Sequence, residues 1–167
     1  VFCKHFGVCG GCTLPGIPYP EQLATKRREL AKLLGMDVPA FVPSPQESGF
    51  RNKVAFVFGP RGVMGHYALN SQRVIPIEEC PVHHPRGNTI AFGMAAALAG
   101  AARSGETGAL LRHVIVRVTQ DGREASAMLV VRRNDKSLRA PVRKFLASAA
   151  RPDGFFVNIH YKPGPYM

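Results

Sequence analysis

The spacing of apolar residues alternates between helical and strand periods after an irregular start. Residues 1–18, VFCKHFGVCGGCTLPGIP, follow neither period: cysteines, Gly and Pro crowd a stretch that something other than backbone periodicity has to order. From there YPEQLATKRRELAKLLG sets Leu23, Leu30, Leu33 and Leu34 on one helical face, with Glu21 in the first turn and Gly35 as a stop, which predicts an amphipathic helix. After the proline-broken segment VPAFVPSPQES come three runs of strand character, NKVAFVFG, GVMGHYAL and RVIPI, the first two meeting at the turn Gly59-Pro60-Arg61-Gly62. Residues 87–102 return to the helical period, with Ile90, Met94 and Leu98 on one face and small side chains that allow close packing on a sheet. HVIVRVT and REASAMLVV then flank Gln120-Asp121-Gly122-Arg123, where an Asp-Gly pair suits the positive φ values of a tight hairpin. A helix over 136–150 and a strand GFFVNIHY complete the run.

This order predicts an α+β domain with a largely antiparallel sheet and helices packed on one face, preceded by the Cys-rich loop. The expected division is a cysteine loop over 1–18 and a central α+β domain over 19–167, tied together through Cys80. No strand, G-x-G-x-x-G turn and helix with an acid about 20 residues on occurs, so a doubly wound nucleotide or S-adenosylmethionine site is not expected in these residues.

Charge narrows the partner. Lys and Arg number 22 against 11 Asp and Glu, a formal net charge of +11, and such a field attracts polyanions, nucleic acid first among them. The stretch Ile90–Ala102 is far short of the roughly 20 residues of a bilayer span, and the first residues lack the layout of a secretory signal, so a cytoplasmic protein is expected. Neither Val1 nor Met167 has the look of a natural terminus, which suggests a piece of a longer protein. A monomer is assumed.

The four cysteines, Cys3, Cys9, Cys12 and Cys80, are spaced C-x5-C-x2-C with a distant Cys-Pro. Disulfides are disfavoured by a reducing setting and by the Gly-Gly spacer, and four inert core thiols by the Gly-rich surroundings. A metal fits better. Structural zinc sites usually pair two short C-x2-4-C knuckles, whereas three clustered cysteines plus a remote Cys-Pro is a habit of 4Fe-4S clusters, so iron-sulfur is favoured over zinc. Gly10 and Gly11 allow backbone amides to turn toward sulfur, and His5, His83 and His84 lie beside the cysteines as spare ligands or supporting groups.

The combination C-x5-CGGC, Y-x2-QL-x2-K, FRNKVAFVFG with G-x-Y, and Cys-Pro-x-His resembles the bacterial S-adenosylmethionine-dependent RNA uridine-5-methyltransferases, most closely the iron-sulfur branch acting on 23S ribosomal RNA. The likeness runs through about the first 90 residues and continues weakly over LLRHVIVRVTQDGREASAMLVV. It implies a 4Fe-4S cluster on Cys3, Cys9, Cys12 and Cys80. It also implies that S-adenosylmethionine and the catalytic residues belong to a C-terminal Rossmann-like domain of the full-length protein, not to these residues.

An enzyme that works on a base must extract it from its stack, and basic residues beside aromatics suit the arm that grips the RNA. Phe50 as a stacking platform and Arg51, Lys53, Arg61 and Arg73 as phosphate contacts are the expected RNA residues, with His66 and Tyr67 nearby and Arg132 and Arg133 weaker. Phe56 and Phe58 read as core. The competing expectations are a stand-alone metal-stabilised RNA-binding module and an electron-transfer protein.

Overall fold

The computed structural model describes residues 3–162, so residues 1–2 of the cysteine loop and residues 163–167 fall outside the description. A six-stranded sheet in the order β3-β2-β1-β4-β5-β6 forms the body. Its strands are β1 (Lys53–Phe58), β2 (Met64–Tyr67), β3 (Val74–Pro76), β4 (Leu111–Val118), β5 (Ala125–Val131) and β6 (Gly154–Ile159). Every neighbouring pair is antiparallel except β5 and β6. That parallel pair arises because α4 (Arg139–Leu146) crosses over between the two strands, as parallel strands require.

The strand period decides the two faces. Val54, Phe56 and Phe58 of β1, Val114, Val116 and Val118 of β4 and Ala125, Ala127, Leu129 and Val131 of β5 point into one core. Against it lies α2 (Pro85–Arg103), which buries Ile90, Met94 and Leu98, the face expected from the sequence. Pro85 opens this helix and the His84 ring caps it, Nδ1 accepting from the Arg86 amide at 3.2 Å. Phe145 of α4 completes the layer.

Three expectations need correction. In α1 (Tyr19–Leu34) no residue is fully buried, and Leu33 and Leu34 stay 81 % and 56 % exposed, because this helix is not laid on the sheet core. The helix expected over 136–150 breaks into a 3-10 turn at Lys136–Leu138, α4, and a turn where the Ser148 hydroxyl donates to the Phe145 carbonyl at 2.7 Å. In the β4–β5 hairpin only Gly122 takes a positive φ, +72°. Asp121 keeps ordinary φ and instead accepts from the Thr119 hydroxyl and the Arg123 amide, closing a longer loop. A short helix, α3 (Gly105–Gly108), was not foreseen.

Candidate metal centre and nucleic-acid interface

The four cysteines come from two places and meet at one pocket. Cys3, Cys9 and Cys12 lie on the irregular N-terminal loop, Cys80 on the segment between β3 and α2, and all four line a pocket with His5, Phe6, Arg51 and His66. The loop is held down by strand-like bonds: the Gly10 amide donates to the Tyr67 carbonyl at 2.9 Å and the Leu69 amide to the Val8 carbonyl at 2.9 Å. Gly10 keeps this approach uncrowded, since a Cβ would sit a tight 3.1 Å from the Tyr67 carbonyl oxygen. The exposed ion pair of Lys4 with Glu78, 2.9 Å, adds little stability of its own.

One backbone donor is aimed at sulfur. The Gly11 amide donates to Cys9 Sγ at 3.4 Å, which is the role expected of the Gly-Gly spacer, although Gly10 turns away to Tyr67. The His83 amide donates to the Cys80 carbonyl at 3.2 Å, and the Arg51 charge lies near Cys12. Burial pushes both the Cys12 and Cys80 thiols up, opposed at Cys12 by the Arg51 charge and at Cys80 by the backbone amides of Val82 and His83. Protonated thiols gain from a metal ion that deprotonates them, and the Gly11 amide and the Arg51 guanidinium then face thiolates.

Arg51 was expected on the RNA side. Its Nη1 donates to the Gly11 carbonyl at 3.0 Å, so this side chain also braces the cysteine loop. Its backbone pairs with the Cys80 segment too, the Arg51 amide donating to the Val82 carbonyl at 2.8 Å.

His66 and His83 form an inner wall of this site. The His66 ring stacks on Phe56 at 4.6 Å, and His83 meets both rings edge-on at 5.3 Å. Burial holds His66 and His83 down to about 4, helped by the Arg51 charge, so both rings are neutral at pH 7. His66, expected only to lie near the RNA residues, comes opposite the cysteines through register, since β2 pairs His66 with Ile75 a few residues before Cys80. Of the neighbouring histidines, His5 lines the pocket with a buried, unpartnered Nε2, and His84 is occupied as the helix cap.

The remaining RNA candidates scatter. Phe50 is 51 % exposed and borders a groove of about 370 Å³ with Tyr19, Gln22, Lys26, Gln46 and Arg51, next to Cys12. Lys53 stands exposed on the sheet face turned away from α2, directly opposite the exposed Arg117 of β4. Arg61, at φ +57°, gathers with Arg103, Arg132 and Arg133 at the other end of β1, and Arg73 is exposed before β3. The structure therefore joins Phe50 and Arg51 to the cysteine site and leaves Lys53, Arg61 and Arg73 in separate places.

No family model matches the chain. It is 30% identical over 177 residues to an uncharacterized RNA methyltransferase of Geobacter sulfurreducens, covering 97% of this chain and 36% of that protein. Over 91 residues it is 36% identical to the 23S rRNA (uracil(1939)-C(5))-methyltransferase of Pseudomonas fluorescens, covering 48% of this chain and 20% of that one. Its fold matches the crystal structure of the Pyrococcus abyssi tRNA (uracil-54, C5)-methyltransferase in complex with S-adenosyl-L-homocysteine, with a TM-score of 0.72 at 23% identity over 93% of this chain and 38% of that chain. The chain thus spans little more than a third of the length of the relatives it matches most fully. Its homologues are RNA methyltransferases, uracil-C5 enzymes among them, and it corresponds to one part of them.

Proposed function

We propose that this chain is the central iron-sulfur, RNA-contacting part of an enzyme that transfers a methyl group from S-adenosylmethionine to C5 of a uridine in 23S ribosomal RNA. The observation that carries this reading is the meeting of Cys3, Cys9, Cys12 and Cys80 at one pocket, with the Gly11 amide donating to the Cys9 sulfur. A single zinc holding four thiolates would draw their sulfurs to about 3.8 Å of one another. Three clustered cysteines with a remote Cys-Pro favour a four-iron cluster over such a single ion. Bound there, the cluster would supply covalent cross-links from the N-terminal loop to the segment before α2, which that loop cannot obtain from burial.

The RNA side rests on charge and placement. Lys53 and Arg117 face each other across two strands without an ion pair among the described residues, a like-charge arrangement that an RNA phosphate relieves. Phe50 and Tyr19 give the groove beside Cys12 aromatic walls for an unstacked base, with Lys26 in reach of its phosphate. Catalysis and S-adenosylmethionine binding are assigned to the length the relatives have beyond this chain.

Anaerobic purification with iron, sulfide and zinc quantified on one sample tests the metal. About four irons and four sulfides per chain are expected; one zinc and no iron would replace this reading with a metal-stabilised RNA-binding module. Methyl transfer by the longer protein to 23S rRNA and tRNA transcripts tests the substrate, and methylation of tRNA alone would overturn the 23S assignment.

A further inference from the structure

We propose that His66, Cys80 and His83 form a second metal site, for a single divalent ion of zinc type, which shares Cys80 with the iron-sulfur cluster. One ligand atom of each of these three residues lies within 4.8 Å of the others. A tetrahedral zinc spaces neighbouring nitrogen and sulfur ligands by about 3.3–3.6 Å, so closing the group on an ion takes about one ångström of side-chain rotation. Two imidazoles and one thiolate with an open fourth position is a donor set for zinc, with cobalt as its spectroscopic substitute, and is too small for a cluster.

Asn88 is placed to orient the His83 ring. His83 is only 3 % exposed, yet its Nδ1 has no hydrogen-bond partner, and the same holds for the buried Oδ1 of Asn88 beside it. Asn88 is already anchored, its Nδ2 donating to the Cys80 carbonyl at 2.9 Å. A bond from His83 Nδ1–H to Asn88 Oδ1 satisfies both orphans and leaves Nε2 as the ligand, the usual way a second group orients a metal-binding imidazole. The His66 ring is held by its stack on Phe56.

Both sites draw on Cys80, so the ion and the cluster compete for its thiolate; this competition rests on the cluster reading, whereas the site itself does not. In the zinc form Cys80, His66 and His83 hold the ion.

The test is cobalt(II) titration of the full chain after chelation of its metal, read by visible absorption. Tetrahedral d–d bands with the charge-transfer intensity of one thiolate are expected. They should survive in Cys9→Ser and Cys12→Ser, and His66→Ala and His83→Ala should each weaken cobalt binding by at least about tenfold, with Asn88→Ala weakening it by about tenfold as well. Circular dichroism identifies any histidine variant that has failed to fold, and for such a variant the Cys9→Ser and Cys12→Ser results decide. Intensity for three or four thiolates that disappears in Cys9→Ser, or no stoichiometric binding, would overturn the proposal. Iron and sulfide content of the anaerobically purified wild-type chain reports on the cluster separately.

Discussion

Arg51 shows how one side chain changes meaning once its surroundings are known. In the sequence it stands between Phe50 and Lys53 as one of several basic residues suited to phosphate. In the fold its guanidinium holds the Gly11 carbonyl and faces Cys12. Arg51→Ala should therefore shorten the lifetime of bound iron under air several-fold while leaving the salt dependence of RNA binding unchanged. Lys53→Ala should do the reverse, lowering the log-log salt slope by about 0.7–0.9 with metal content intact. Iron assays and filter binding at several salt concentrations separate the two, and a lowered slope in Arg51→Ala would return that residue to the RNA surface. At the cysteines, Cys80→Ser should strip iron and sulfide as fully as Cys9→Ser, because either loss opens the cluster site; stoichiometric iron and sulfide in one variant would remove that residue from the cluster's ligand set.

At the level of elements, close backbone approach and one bulge hold the sheet in shape. Gly65 of β2 lies where an added Cβ would fall on the Ile75 carbonyl of β3, so Gly65→Ala has to push these strands apart. A loss of about 2 kcal/mol or more is expected, read as a lowered denaturation midpoint. The displaced strand also carries His66, so metal retention should fall with it. Between Leu111 and His113 the β4–β5 register shifts, and Arg112 leaves the ladder there to donate to the His160 and Lys162 carbonyls beyond β6. That is a bulge used to re-aim a buried guanidinium onto the end of the last strand. Likewise Arg86, at the start of α2, donates to the Gly122 carbonyl and to Asp153, which in turn accepts from the Ala125 amide. One charged residue thus joins helix, hairpin and β6.

For the whole molecule, the buried histidines give stability a pH signature. His66 and His83 are held at about 4 by burial, against 6.5 for a solvated ring, and burial lowers His113 as well. Below pH 6.5 the unfolded chain takes up protons that the folded chain refuses until about pH 4. The stability these neutral rings allow is therefore fully present above pH 6.5 and lost as pH falls through that window. Urea midpoints of the metal-free chain should drop from pH 7 to pH 4.5, and His83→Gln should flatten the dependence; a flat wild-type profile would show that the rings are solvated. The positive excess of the chain acts at the same scale, drawing polyanions over the surface, while no described helix is long and apolar enough to cross a membrane.

What the sequence determined by itself was whatever depends on local period and residue chemistry. The strand runs around Val54, Val116 and Leu129, the buried stripe Ile90, Met94 and Leu98, the α+β class and the grouping of four cysteines were all legible, because alternation and donor type are written in consecutive residues. Tertiary structure alone decided what depends on packing between distant segments. It left Leu33 and Leu34 in solvent because no core reaches α1, and it turned β6 parallel to β5 through α4. It drew Arg51 inward to the cysteine loop. It also brought His66 of β2 against Cys80 and His83, a conjunction that arises from strand register and that no spacing along the chain announces.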